Sequence, residues 1–196
     1  MKFAKGFTLI ELMVAVAILG LITMVAVPSM SEWVVKMRID NEISSLHRLV
    51  NTARNSAINL EQPVTLCPLK DNSCTTDWEG ELTVFIDLDN DGNLDNAVNV
   101  DIDNDGVLEG PFEETIIRVK GPISADDELT FARDRIVYQP TGQASISNAT
   151  FEYCVPGHSD KNRGITVSLR GRIYQSKDYD GDGKEENRSG DTIDCS

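Results

Sequence analysis

From Phe7 to Met30 the chain runs for 24 residues with one charged side chain, Glu11. Wound as an α-helix, a run of that length spans about 36 Å, enough to cross a bilayer core of about 30 Å. Lys2 and Lys5 precede it and no basic residue follows until Lys36, a bias that keeps the N-terminus in the cytoplasm. A removable secretory signal has a shorter apolar stretch, with its small-residue cleavage site after it. Here the small residue, Gly6, comes first, so cleavage beside it leaves the hydrophobic helix on the mature protein. A carboxylate such as Glu11 costs about 2.5–3.5 kcal/mol in hydrocarbon on insertion scales and needs a partner. Cleavage after Gly6 gives Phe7 a new α-amino group four residues before Glu11, available to the same chain or to a neighbour. The plainer alternative is that Glu11, one turn into the helix, snorkels to the interface.

Beyond the run, Val35, Ile39, Ile43, Leu46, Val50, Ala53 and Ala57 recur at spacings of three and four, one stripe of an amphipathic helix. That helix is expected to end near Asn59, before Pro63, and to bend near Pro28. From Pro63 onward the pattern turns strand-like. Val64–Cys67, Leu82–Ile86, Thr115–Lys120, Leu129–Phe131, Ile136–Gln139, Thr150–Val155, Ile165–Leu169 and Arg172–Gln175 read as strands between Gly, Pro, Asn and Asp. The expected fold class is α+β, an antiparallel β-sandwich-like head packed on the helix stripe.

Charge divides the chain in the same way. The formal charge is −14, but residues 1–60 carry a net +2 and residues 61–196 a net −16. The acidic part repels nucleic acid phosphate and attracts cations. All four cysteines lie in that part: Cys67, Cys74, Cys154 and Cys195. An even number in an exported domain points to two disulfides, for which three pairings exist and sequence does not choose. Cys67 with Cys74 and Cys154 with Cys195 is the favoured set, closing a short loop and pinning the C-terminus. A zinc site is the rival, but no Cys-x-x-Cys occurs, and His47 and His158 lie far from any cysteine pair.

Three acidic stretches share one pattern. Asp87-x-Asp89-x-Asp91-Gly92 recurs as Asp101-x-Asp103-x-Asp105-Gly106 and as Asp178-x-Asp180-x-Asp182-Gly183. Calcium is a hard ion taking six to eight oxygens, and carboxylates at alternate positions of a tight loop can wrap it. Seventh positions, which donate a main-chain carbonyl, are Asn93, Val107 and Lys184; ninth positions are Asp95, Glu109 and Glu186. The twelfth position, glutamate in an EF-hand, is Val98, Phe112 or Ser189, so the closing ligand is either missing or comes from elsewhere, such as Glu113, Glu114 or Asp191. The competing reading is a set of solvated Asp/Asn/Gly turns. Bound calcium would be structural, ordering the Asp-rich insertion 87–114; a second Asp-rich loop spans 178–191.

The stretch Lys5-Gly6-Phe7-Thr8-Leu9-Ile10-Glu11-Leu12 resembles the prepilin processing motif of type IV pilins and type II secretion pseudopilins, and Pro28 falls at the pilin kink position. The resemblance implies that prepilin peptidase cuts after Gly6 and methylates Phe7, and that Glu11 guides filament assembly. It divides the chain into a leader, 1–6; a transmembrane and assembly helix, 7–30; its amphipathic continuation, 31–60; and a periplasmic head, 61–196. The protein is then a single-pass inner-membrane protein whose partners are other pilins or pseudopilins in a filament, reaching the cell surface after assembly.

The head is similar to the FimT/GspH group of minor pilins and pseudopilins. The matching words are Val64-Thr65-Leu66-Cys67-Pro68, Trp78 with Leu82–Ile86, Glu114–Arg118, Tyr138-x-x-x-Gly142, Phe151–Cys154 and Ser168-x-x-Gly171-Arg172. That resemblance implies a low-abundance subunit near a filament tip. Some FimT proteins bind DNA through Gly-Arg-x-Arg; here the positions read Gly171-Arg172-Ile173-Tyr174, with Arg170 and Lys177 nearby. No nucleophile elbow, phosphate loop or zinc-hydrolase helix occurs, so a structural subunit is expected and not an enzyme. DNA capture at a pilus tip and a calcium-loaded tethered domain that never polymerises are the rivals.

Overall fold

The computed structural model describes residues 8–101, 105–145 and 149–195, with the backbone alone for 25–29. It divides into two units, Met1–Arg38 and Ile39–Ser196.

One helix, α1 (Leu9–Leu60), is unbroken through Pro28 and stops ahead of Pro63. In the first unit every described side chain from Thr8 to Met24 is exposed, including Leu9, Ile10, Leu12, Met13, Leu19 and Leu21. Among the described residues no helix is long and apolar enough to cross a membrane. The side chains of 25–29, inside the expected span, lie outside those residues.

In the second unit α1 buries Ile39, Ile43, Leu46, Val50, Ala53 and Ala57, joined by Leu49. Burial of each large aliphatic side chain contributes about 1.5–3 kcal/mol. The two alanines, Ala53 and Ala57, are each fully buried.

Two antiparallel sheets complete this unit. In the first, β1 (Val64–Lys70) is central, with β3 (Leu82–Ile86) on one edge and β8 (Ile136–Tyr138) and the short β2 (Ser73–Cys74) on the other. Strand β6 (Ile116–Lys120) extends it beyond β3, with a register shift at Val84/Phe85. Five successive β1 residues, Val64 to Pro68, are buried, so both faces of that strand are covered. The second sheet runs β11 (Ile173–Gln175), β10 (Arg163–Val167), β9 (Ala149–Cys154), β7 (Glu128–Phe131). Along β9, Ala149, Phe151 and Tyr153 turn inward while Thr150 and Glu152 are half-buried, the alternation of a strand with one core face. A small ribbon of β4 (Val98–Val100) and β5 (Glu109–Phe112) lies in the acidic insertion. These two strands and β2 are absent from the sequence reading. They are short, and β5 holds Gly110 and Pro111, so local propensity hardly marks them.

Trp78 packs edge-on against Phe131 and Phe151, whose rings stack 4.0 Å apart, and its indole N–H donates to the Arg133 carbonyl at 2.7 Å. Glu42 of α1 pairs with Lys120 of β6 at 2.8 Å, and Arg54 Nε donates to the Gly142 carbonyl at 3.0 Å. Disulfides join Cys67 to Cys74 across the β1–β2 turn and Cys154 to Cys195 at the C-terminus. In the first turn Asp71 and Asn72 both adopt positive φ, the conformation of a two-residue hairpin loop.

Candidate functional site

Gly6 and Phe7 lie outside the described residues. The next residues form a capping box. Thr8 precedes the first helical residue; its main-chain N–H and its hydroxyl both donate to Glu11 Oε2 at 3.0 Å, and the Glu11 N–H reaches back to Thr8 Oγ1 at 3.3 Å. The first intrahelical bond, Leu12 N–H to the Thr8 carbonyl, starts here at 3.2 Å. Glu11 therefore has a local role that sequence reasoning missed, although Thr-x-x-Glu before an apolar run was there to be read. Glu11 Oε2 is engaged by Thr8, and the carboxylate sits at the positive end of the helix dipole.

Two of the acidic stretches gather carboxylates. Asp178, Asp180, Asp182 and Glu186 each place a carboxylate oxygen within 4.8 Å of the others, and Asp87, Asp89 and Asp91 do the same. In the first insertion Asp87 is buried and accepts the Thr65 hydroxyl at 2.5 Å. Glu114, also buried, accepts Leu88 N–H at 2.7 Å and Asp95 N–H at 2.9 Å, tying both ends of the loop to one side chain. Burial holds both carboxyls above the ordinary carboxylate range, Glu114 up to about 7. Asn93 donates its main-chain and side-chain N–H groups to Asp91 and accepts the Ser73 hydroxyl, while Asp95 is not among the three gathered carboxylates. In the middle stretch Asp101 accepts the N–H groups of Asp105 and Gly106, and Asp105 that of Val107. Asp103 lies outside the described residues, and Glu109 belongs to β5.

The third site is a shallow pocket of about 460 Å³ lined by Arg170, Arg172, Tyr174 and Arg188, among others. Arg188 stacks over the Tyr174 ring at 3.9 Å, an arginine–aromatic pairing. The third arginine thus comes from the C-terminal loop, out of reach of motif reading. Lys177 does not line the pocket; its backbone pairs with Glu186. Of the histidines, His47 meets the Asn51 amide at 3.2 Å and His158 donates to the Pro156 carbonyl at 3.3 Å.

Comparison with known proteins gives two family-model matches: the type II transport protein GspH over residues 42–171, and the prokaryotic N-terminal methylation motif over residues 1–27. A curated fimbrial protein of Pseudomonas aeruginosa is 29% identical over 118 residues, 56% of this chain and 77% of that one. Among solved structures, the type IV minor pilin FimU of Pseudomonas aeruginosa matches with a TM-score of 0.48 and 18% identity, over 69% of this chain and 86% of its own. The minor pseudopilin EpsH of the Vibrio cholerae type 2 secretion system matches at 0.43 and 11%, over 70% and 95%. With its model covering about two thirds of the sequence and the methylation motif preceding it, the chain belongs to the GspH family and is a structural minor pilin or pseudopilin, not an enzyme.

Proposed function

We propose that prepilin peptidase cleaves this chain after Gly6 and methylates Phe7. The mature helix holds the protein in the bacterial inner membrane with its N-terminus cytoplasmic and its head periplasmic. From there it joins other pilins or pseudopilins in a filament of a type II secretion system or a type IV pilus. The observation that supports this is the exposed apolar helix surface from Leu9 to Met24, headed by the Thr8–Glu11 capping box. A contiguous apolar surface of that extent calls for lipid or neighbouring helices to cover it. Mass spectrometry of the protein from native membranes tests the reading: the expected N-terminus is N-methylated Phe7. A mature protein that begins at Met1, or beyond Met30, overturns it.

A second reading, DNA capture, is favoured by the arginine pocket. Three guanidinium groups and a tyrosine face sit together on an otherwise acidic unit. This reading expects duplex binding that weakens with salt. Arg172→Ala and Arg188→Ala should each lower the salt slope by about 1 in gel-shift titrations. Equal retention of both variants and wild type sinks it.

A further inference from the structure

Glu186 is 5% exposed, and its Oε1 has no hydrogen-bond partner. A buried carboxylate oxygen left unpaired is costly, and in a native protein it calls for an explanation. The other oxygen, Oε2, is fixed by the Tyr179 N–H at 2.7 Å, so Oε1 is held and not free to swing outward. Glu186 supplies one of four carboxylate oxygens that converge within 4.8 Å. The backbone keeps it there. Lys177 and Glu186 exchange both main-chain hydrogen bonds at 3.1 Å, closing the loop at its two ends. The adjoining Glu185 pairs with Arg163 Nε at 2.9 Å, and Ile193, 1% exposed, donates its N–H to the Glu185 carbonyl at 2.9 Å.

We propose that Asp178, Asp180, Asp182 and Glu186 bind a calcium ion. Every side-chain donor is a hard oxygen, with no sulfur or imidazole in the cluster, which disfavours zinc and copper. Three of the four carboxylates are on an open loop, with waters free to fill the remaining positions, as calcium's loose six-to-eight-coordinate shell allows. Within the loop, Asp178 accepts Gly181 N–H at 2.6 Å and Gly183 N–H at 3.1 Å, while Asp180 and Asp182 accept Asp182 and Lys184 N–H. The Lys184 carbonyl stands at the seventh loop position, which supplies a main-chain ligand in such loops. The ion satisfies Glu186 Oε1 and relieves the repulsion among four carboxylates.

The test uses the full chain in detergent micelles, stripped of metal with EDTA. It carries Asp89→Asn so that the separate Asp87 cluster is weakened. Calcium chloride should bind in calorimetric titration with a Kd of about 0.1–1 mM, the range of extracellular modules. At 10 mM it should raise Tm by about 3–10 °C. Adding Asp180→Asn, an exposed position, should weaken binding at least tenfold and remove the Tm shift. Glu186→Gln should behave differently from a merely structural change. Its amide keeps an oxygen for Tyr179 and points a donor at the aspartates, so Tm in EDTA should rise while the calcium response disappears. The proposal fails if calcium does not bind up to 10 mM, or if Asp180→Asn binds like its parent. It also fails if magnesium gives the same shift, or if Glu186→Gln is less stable in EDTA yet still responds to calcium.

Discussion

Gly171 shows how a two-letter sequence word can be set by steric contact alone. Its φ is +71°, and a Cβ built there would lie 2.0 Å from the Gly142 carbonyl oxygen. Gly142 is itself at +74°, with its carbonyl taken by Arg54 of α1. The two turns therefore meet backbone to backbone, the helix reaches them through the Arg54 and Ile58 side chains, and neither glycine tolerates a side chain. Gly171→Ala should cost about 3 kcal/mol or more, through clash and left-handed strain together, measured as a lower urea midpoint at unchanged m-value. Arg172→Ala, next along the chain and exposed, should fall within about 0.5 kcal/mol of wild type. Equal losses at the two positions would show that the contact contributes nothing special. The words Tyr138-x-x-x-Gly142 and Ser168-x-x-Gly171 thus carried a close approach that no local pattern predicts, because its two halves lie 29 residues apart.

At the scale of elements, the two disulfides close loops of very different length. Cys67–Cys74 spans seven residues and Cys154–Cys195 spans 41. In the chain-entropy account the longer loop contributes about 4 kcal/mol and the shorter about 2.5 kcal/mol. Denaturant titration should therefore find the Cys154→Ala/Cys195→Ala pair less stable than the Cys67→Ala/Cys74→Ala pair by about 1.5 kcal/mol; the reverse order would mean that strain or packing overrides loop entropy. What sequence made legible follows similar physics. The α1 stripe was readable because burial repeats every three to four residues, and Leu49 escaped only by standing beside Leu46 and Val50 on the same face. Strand β3 and the cores of β6 to β11 were readable from β-branched and aromatic runs. The β4–β5 ribbon was not, since pairing of Val98 with Phe112 depends on a chain reversal through acidic residues with no strand signature. The same limit governed the sites. Asp87 to Asp91 and Asp178 to Asp182 could be read as clusters because their spacing is local. The burial of Glu186 and the arrival of Arg188 over Tyr174 are tertiary facts.

The whole molecule combines two surfaces that ask for different surroundings. Residues 8–24 expose an almost wholly apolar helix, and residues 61–196 carry a net charge of −16. Glu11 is the sole charge on the apolar segment, and the structure gives it a role, capping, that competes with the charge pairing proposed for assembly. The two roles separate by substitution. Glutamine serves in a capping box as well as glutamate does, whereas only a carboxylate can neutralise the α-amino group of a cleaved neighbour. Glu11→Gln should therefore leave helix formation and membrane insertion intact yet reduce recovery in sheared filaments at least tenfold, read by immunoblot against the membrane pool. Thr8→Ala removes the cap's hydroxyl and keeps the charge, so it should lose helix stability of about 1 kcal/mol and still assemble. Were Glu11→Gln to enter filaments like wild type while Thr8→Ala failed, capping would be the function of this carboxylate, and subunit recognition would rest on the apolar helix alone.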